Sequence, residues 1–435
     1  MNRGPARDDL VAVFRAAVER ARPDQAFRQI CRREGSLLAI ADAEELDLSS
    51  FEKLWVVGAG KAVVPLAAVA LEMFGDSVAG TSITTRHGHA RGAAFDVWEA
   101  GHPTPDAGSL AGAADALRLA RSAGSSDLLI CLLTGGASSL WAAPVRGVPL
   151  ADLREVTTRL LRSGATIQQV NAVRKHLSLI GGGRLAAAAL PAAVLTFALS
   201  DVIGSQAEAI GSGPTVPDPT TYEDALSVVS AAGVDAPSSV IAHLQRGAAG
   251  EADETPKPDE LPPGRYHLLA DISTAIAGAE AELRARGYEP IILTTAGEGD
   301  ACTIARWLAT EALARRSHGA TRQALVWGGE STVRVTGPGK GGRNQEMVLA
   351  AAMELEGSEG VTMACFATDG SDGPTSAAGG FADGGSVQRG RALGMDAEDF
   401  LRRSDSNSYL GGLKDLIVTG PTGTNVNDIA VALIS

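Results

Sequence analysis

"LWVVGAGKAVVPLAAVALEMF" (54–74) holds a continuous apolar run, a turn with two glycines, and a second apolar run of helical composition. An apolar run without polar alternation, ending in glycine and passing at once into a helix, marks a strand buried on both faces of a parallel sheet. The plan returns in "DLLICLLTGGASSLW" (127–141) and in "AVLTFALSDVIGS" (193–205). Repeated strand–turn–helix units predict an α/β fold with helices on both faces of the sheet.

The chain of 435 residues exceeds one ordinary core and predicts two or three domains. A break comes at "GAAGEADETPKPDELPPGRYH" (247–267), rich in Pro, Glu and Asp. We therefore expect a Rossmann-like domain over 1–248, a linker over 249–265 and a second domain over 266–435. In the second half "STVRVTG" reads as a strand following "ALVWGGE" across a Gly-Gly turn, which predicts antiparallel pairing there. The expected architecture is two α/β lobes, a larger doubly wound parallel sheet and a smaller mixed domain, with the active site in the cleft between them. Ligands in such folds sit at the carboxyl ends of strands, where these glycine turns lie.

The formal charge of −13 provides no basic stripe for a phosphodiester backbone and predicts no nucleic-acid partner. The four cysteines form no C-x-x-C pair, which suits reduced, buried thiols. The N-terminal stretch reads as a charged amphipathic helix without an apolar signal core, and no uncharged apolar run approaches the ~18 residues of a membrane span. A cytoplasmic protein without a membrane partner is expected.

Several glycine turns carry charged or hydroxyl side chains. In "VVGAGKAVV" (56–64), Val63 stands where a dinucleotide fingerprint needs its third glycine, and Ala62 where a P-loop needs Ser or Thr. Gly58, Gly60 and Lys61 remain as a strand-to-helix turn with a cation, suited to an anion or simply to packing. "LLTGGASSLW" (132–141) offers Gly135, Gly136, Ala137, Ser138 and Ser139 as an anion nest, or as a turn with a helix cap. Ser200 and Asp201 follow a strand and precede a proline-rich loop; Asp201 could hold a metal or accept a proton, or cap a helix.

"VWGGESTVRVTGPGKGGRNQEMVLAAA" (326–352) is the densest segment: Gly329 and Glu330 close a strand, Lys340 and Arg343 flank glycines, and Asn344 and Gln345 open a helix. Arginine presents a fork of donors matched to phosphate oxygens, so a phosphate cradle is the favoured reading. "FATDGSDG" (366–373) sets Asp369 at a strand end, where a carboxylate suits Mg²⁺, and Asp372 three residues on, where an Asx turn is as good a reading. His102 and His176 read as structural or substrate-proximal.

Taken in order, "GAGKA", "AGHPTPD", "LLTGGASSL", "VNAVRKHLSLIGGG", "LSDVIGS", "GSGPTVPDPTTY", "GGESTVRVTGPGKGGRNQE", "ATDGSDGPTSAAGG" and "TGPTGTNVNDI" resemble the class II glycerate kinase family, over nearly the whole chain. The family's halves are the MOFRL-associated and MOFRL domains, and some members are called hydroxypyruvate reductases. The resemblance implies ATP-dependent phosphorylation of D-glycerate at its 2-hydroxyl, with Mg²⁺ or another divalent metal. It implies Lys61 and Arg343 as acting cations, Asp201 and Asp369 as acidic residues of undivided labour, and D-glycerate and ATP as partners. A homodimer is left open. Two rivals stand beside this reading: an NAD(P)H-dependent hydroxypyruvate reductase using the "GAGKAV" turn, and a non-catalytic sensor of small acids or nucleotides.

Overall fold

The computed structural model describes residues 4–41, 44–262 and 264–435. They divide into two compact units, Ala26–Leu269, and the described residues up to Gln25 together with Ala270–Ser435.

The first unit is built on a six-stranded sheet of β1 (Lys53–Ala59), β2 (Val78–Arg86), β3 (Val97–Ala100), β4 (Asp127–Leu133), β5 (Ala193–Leu199) and β6 (Arg265–Ala270). Its order is β3-β2-β1-β4-β5-β6, and the pairs from β3 to β5 are parallel. This is the order of a doubly wound sheet, whose winding reverses between β1 and β4 and opens a crevice beyond their carboxyl ends. The sequence dictates it locally. All of β4, "DLLICLL", is buried, as a strand covered on both faces must be. Helix α1 (Val63–Phe74) buries Val63, Leu66, Ala67, Ala70 and Phe74, a stripe of helical period. The acidic stretch after residue 248 is folded onto this unit: Thr255 is fully buried, Asp218 N donates to Pro256 O at 2.9 Å, and Glu254 meets His176 at 2.8 Å. Three short strands, Cys31–Glu34, Leu37–Ile40 and Glu44–Asp47, form a small antiparallel sheet.

The second unit carries β7 (Glu289–Asp300), β8 (Gln323–Thr332), β9 (Val361–Ala367), β10 (Gly379–Asp383), β11 (Leu416–Ile417) and β12 (Asp428–Ile434) in the order β7-β8-β12-β9-β10-β11. Only β7 and β8 are parallel; the other pairs are antiparallel, so this sheet is mixed, as expected. The expected "STVRVTG" strand does not exist. Instead β8 runs straight through Gly328 and Gly329 to Thr332, and residues 333–336 form no regular element. The Gly-Gly pair is there for close approach: a Cβ on Gly328 would stand 2.3 Å from Ile276 Cδ1, and one on Gly329 2.0 Å from the carbonyl oxygen of Gly297. Antiparallel pairing comes from β12, which lies between β8 and β9.

The N-terminal helix, Pro5–Arg20, belongs to this second unit. It buries Leu10, Val13, Phe14 and Ala17, and Phe14 stacks on Phe366 of β9 with ring centroids 4.5 Å apart. At Gly278 of α4 (Ile272–Ala285) a Cβ would come within 2.5 Å of Ala16 O, so the two helices touch backbone to backbone. Arg7 donates to both Asp383, at 2.6 Å, and Asp415. The four cysteines are free thiols, three of them buried.

Candidate functional site

In the first unit the turns after β1 and β4 are stitched into one structure. Thr134 N donates to Ala59 O at 3.0 Å and Lys61 N to Gly135 O at 2.8 Å, while Ala62 N donates to Thr134 Oγ1 at 3.0 Å. Gly60 has φ +146°, and a Cβ there would lie 1.9 Å from Thr134 Oγ1. Glycine is thus required for the β1 turn to reach the β4 turn, at the point where the sheet reverses its winding. Gly136 (φ +87°) leaves no room for a Cβ, which would meet the His102 ring at 2.8 Å and Lys61 Cγ at 3.3 Å. The fold therefore brings Lys61, His102 and the 135–139 loop together, three segments that the sequence keeps apart.

The Ser138 and Ser139 hydroxyls sit on a single helical turn, α2 (Ala137–Leu140). Ser139 Oγ donates to Gly136 O at 3.1 Å. Ser138 Oγ lies 2.9 Å from Ser212 Oγ, which approaches Asn171 Oδ1 at 3.5 Å. Asn171 belongs to α3 (Ile167–His176). Beyond these groups opens a cavity of about 410 Å³, walled by Trp141, Leu153 and Ile180 on its apolar side and by His102, Arg154, Arg174 and Ser178 among its polar groups. Sequence reasoning singled out none of its arginines. Ser200 lies at the end of β5 with its hydroxyl turned into its own loop, bonded to Val202 N and O at 3.1 Å. Asp201 follows it, partly exposed, two strands from β1.

In the second unit Arg343 opens α5 (Arg343–Glu354). Its guanidinium is already engaged: Nε and Nη2 hold Asp428, and Nη1 meets Glu330 Oε1 at 2.6 Å. Asp428 is fully buried at the start of β12, whereas Glu330 is 43% exposed. Burial drives Asp428 up to about 6, with Arg343 pulling against it and the nearby Asp372 adding to it. Burial works against the charge of Arg343, but Asp428 and Glu330 outweigh it and hold the guanidinium more firmly protonated than usual.

The end of α5 differs from the expected phosphate cradle. Asp372, 2% exposed, accepts from Asn344 N at 3.1 Å and Gln345 N at 2.9 Å, so an internal carboxylate fills the position that an anion takes at a helix start. Gln345 is spent at both ends of its amide: Nε2 donates to Asp372 and Thr375, and Oε1 accepts from Asn407 at 2.7 Å. Asn344 is likewise fully buried. The glycines ahead of the helix serve close packing: a Cβ on Gly342 would stand 2.3 Å from Asp372 Cγ, and one on Gly341 2.2 Å from Ser406 Oγ. Lys340 is exposed, its N–H on Asp405 at 3.0 Å. Asp369, at the end of β9, accepts from Ser371 N at 2.9 Å, the Asx turn that the sequence left open at Asp372.

Among the described residues no cluster of three or more His, Cys, Asp or Glu side chains could hold a metal ion. Mg²⁺ needs only one or two carboxylates when phosphate oxygens and waters complete its shell. Asp369 and Asp201, both partly exposed at strand ends, offer such oxygen donors.

Comparison with known proteins agrees with this architecture. The model of a family described as a domain of unknown function (DUF4147) matches residues 9–245, and that of the MOFRL family matches residues 323–428. The chain is 36% identical to the D-glycerate 2-kinase of Thermotoga maritima, over 98% of this chain and 97% of that one. It is 38% identical to the glycerate 2-kinase of Pyrococcus horikoshii, over 91% and 90%. An Agrobacterium vitis protein, 42% identical over 87% and 86%, bears the name hydroxypyruvate reductase in provisional form. The crystal structure of the Thermotoga maritima glycerate kinase superimposes with a TM-score of 0.86 at 35% identity, covering 98% of this chain and 99% of that one. The chain belongs to the glycerate kinase family that carries the MOFRL domain. No helix among the described residues is long and apolar enough to cross a membrane.

Proposed function

We propose that the protein transfers the terminal phosphoryl group of ATP to the 2-hydroxyl of D-glycerate, giving 2-phosphoglycerate and ADP. The observation that carries this reading is the nearly full-length relation to a D-glycerate 2-kinase, 36% identical over 98% of the chain.

The residues suit phosphoryl transfer, in which catalysis is mostly positioning and charge stabilisation. Lys61 stands on a turn fixed by both β1 and β4 and offers its ammonium to the transferred group. A cation ~4 Å from a phosphoryl oxygen stabilises it by up to about 4 kcal/mol at an effective dielectric near 20. Arg343 is the second cation, and the displaceable partner in its present pairing is the exposed Glu330 rather than the buried Asp428. Asp201 orients the 2-hydroxyl and receives its proton, and Asp369 is the carboxylate that would hold Mg²⁺. That ion, when bound, neutralises charge on the phosphate oxygens.

The reductase reading finds less support. Val63, at the missing third glycine, is fully buried, and its Cγ2 would lie 2.9 Å from a Cβ on Gly58, so it fills the space against the turn. Product analysis decides the matter: the pure protein is incubated with D-glycerate, ATP and Mg²⁺, and in parallel with hydroxypyruvate and NADH. Phosphoglycerate with ADP, and a phosphorus NMR signal placing the phosphate on carbon 2, is the expected result. NADH oxidation without ADP release overturns it, and tight ATP binding without turnover would leave a sensor.

A further inference from the structure

The chain carries a formal charge of −13, yet the described residues lining the 410 Å³ cavity of the first unit include two arginines and no Asp or Glu. Both arginines have donors to spare. Arg154 spends Nη2 on the carbonyl of Pro105, but its Nε is buried without a hydrogen-bond partner. The guanidinium of Arg174 makes no hydrogen bond or ion pair with any described residue, and burial pulls it down to about 10. Arg174 is half-buried, and a cation partly taken out of water without a counter-charge is costly to the folded state. Arg174 lies one turn beyond Asn171 on α3 and so shares a face with it. That face leads through Ser212 to the Ser138 hydroxyl.

We infer that this cavity is an oxyanion receptor in which Arg174 is the principal cation, and that the anion is a group of one of the two substrates, the glycerate carboxylate or a phosphate of ATP. The inference rests on the proposed substrates. The planar fork of Arg174 matches two oxygens of either group, and Ser138 and Arg154 supply further donors. The unspent guanidinium is then a binding group held ready at the expense of the ligand-free protein's stability.

The test compares wild type with Arg174→Met and Arg174→Lys by calorimetric titration with D-glycerate alone and with ATP alone, followed by steady-state KM for each. Arg174→Met is expected to weaken one of the two ligands by roughly tenfold to a hundredfold, the range of a lost charge-assisted hydrogen-bond pair. Arg174→Lys should recover only part of this, because a point charge lacks the fork. Weakening confined to glycerate identifies the carboxylate, and weakening confined to ATP identifies a phosphate. Arg174→Met should also melt no lower than wild type in the absence of ligand, since it removes a half-buried charge without a counter-charge. Unchanged affinity for both ligands, no binding of either to the wild type, or a lowered melting midpoint of the methionine variant overturns the inference. The titrations and melting curves need no turnover: a protein that binds through Arg174 but makes no phosphoglycerate would defeat the kinase reading alone. Turnover that ignores Arg174 would defeat this one alone.

Discussion

The carboxylate of Asp372 accepts the backbone N–H of Gln345 at 2.9 Å and the side-chain amide of the same residue at 2.9 Å, so a single acidic residue closes the first turn of α5. Replacing Asp372 with alanine would strand these donors and Asn344 N in a site that is 2% exposed. Each buried donor left without an acceptor costs about 1–3 kcal/mol, and some would find water. The expected loss in urea unfolding is roughly 2–4 kcal/mol. A loss under about 1 kcal/mol would mean that the cap contributes little.

Asp428 gives a pH signature. Its native pKa of about 6 stands above the ordinary carboxylate value of 3.8. The native state therefore binds this proton more tightly than the unfolded chain. The stability it contributes is fully present below about 4 and is lost as the pH rises through about 6. A carboxyl NMR titration should show a midpoint near 6, moving up in Arg343→Met, which removes the lowering charge, and down in Asp372→Asn, which removes the raising one. Movement in the opposite directions would refute the assignment.

Gly60 and Lys61 are adjacent yet should fail differently. Gly60→Ala forces a Cβ to within 1.9 Å of Thr134 Oγ1, an overpacking that costs typically 1–3 kcal/mol. Lys61→Met should leave unfolding within about 1 kcal/mol of wild type while lowering kcat by roughly a hundredfold or more, as loss of a transition-state charge partner does. Equal thermal midpoints for Gly60→Ala and wild type, or near-normal turnover in Lys61→Met, would each contradict the site as drawn.

Arg7 ties the N-terminal helix to β10 and to Asp415, which is 2% exposed on its side chain. Arg7→Ala leaves Asp415 with Arg389 alone and should destabilise the second unit by about 3 kcal/mol, the scale for breaking a part-buried ion pair. Limited proteolysis near residue 20 reads it directly: the variant should be cut faster. Asp383, held down at about 2 first against burial and then by Arg389 and Arg7, has a depressed native pKa. Its contribution is present above about 4 and is lost as the pH falls toward 2.

The first sheet was legible because β1, β4 and β5 are written as unbroken apolar runs ending in glycine or serine, a pattern that few other folds produce. The glycines of the second half were harder. Glycine signals either a turn or a close approach, and only the partner tells which. For Gly328 and Gly329 the partners are Ile276 and Gly297, and for Gly341 and Gly342 they are Ser406 and Asp372, all far along the chain. The same limit hid the engagement of Arg343 with Asp428, although an aspartate opening a wholly apolar strand was a visible oddity of "NDIAVALIS". Arg174 sits in "VRKHLS" beside two other basic residues, and composition alone cannot say which of the three faces a cavity. The spacing of Asn171 and Arg174 on one helical face was the available clue.

The N-terminal helix has a further consequence, for synthesis. Its apolar stripe of Leu10, Val13, Phe14 and Ala17 is covered by α4 and β9, which leave the ribosome only after the whole first unit has been made. At ~5–20 residues per second, about 250 intervening residues keep that stripe waiting on the order of ten to fifty seconds. The Rossmann-like unit is thus free to fold while the second unit still lacks most of its chain, and this helix, made before that unit, finds its place only after it. A nascent chain stalled near residue 270 would present that helix as a holdase client rather than as part of a domain.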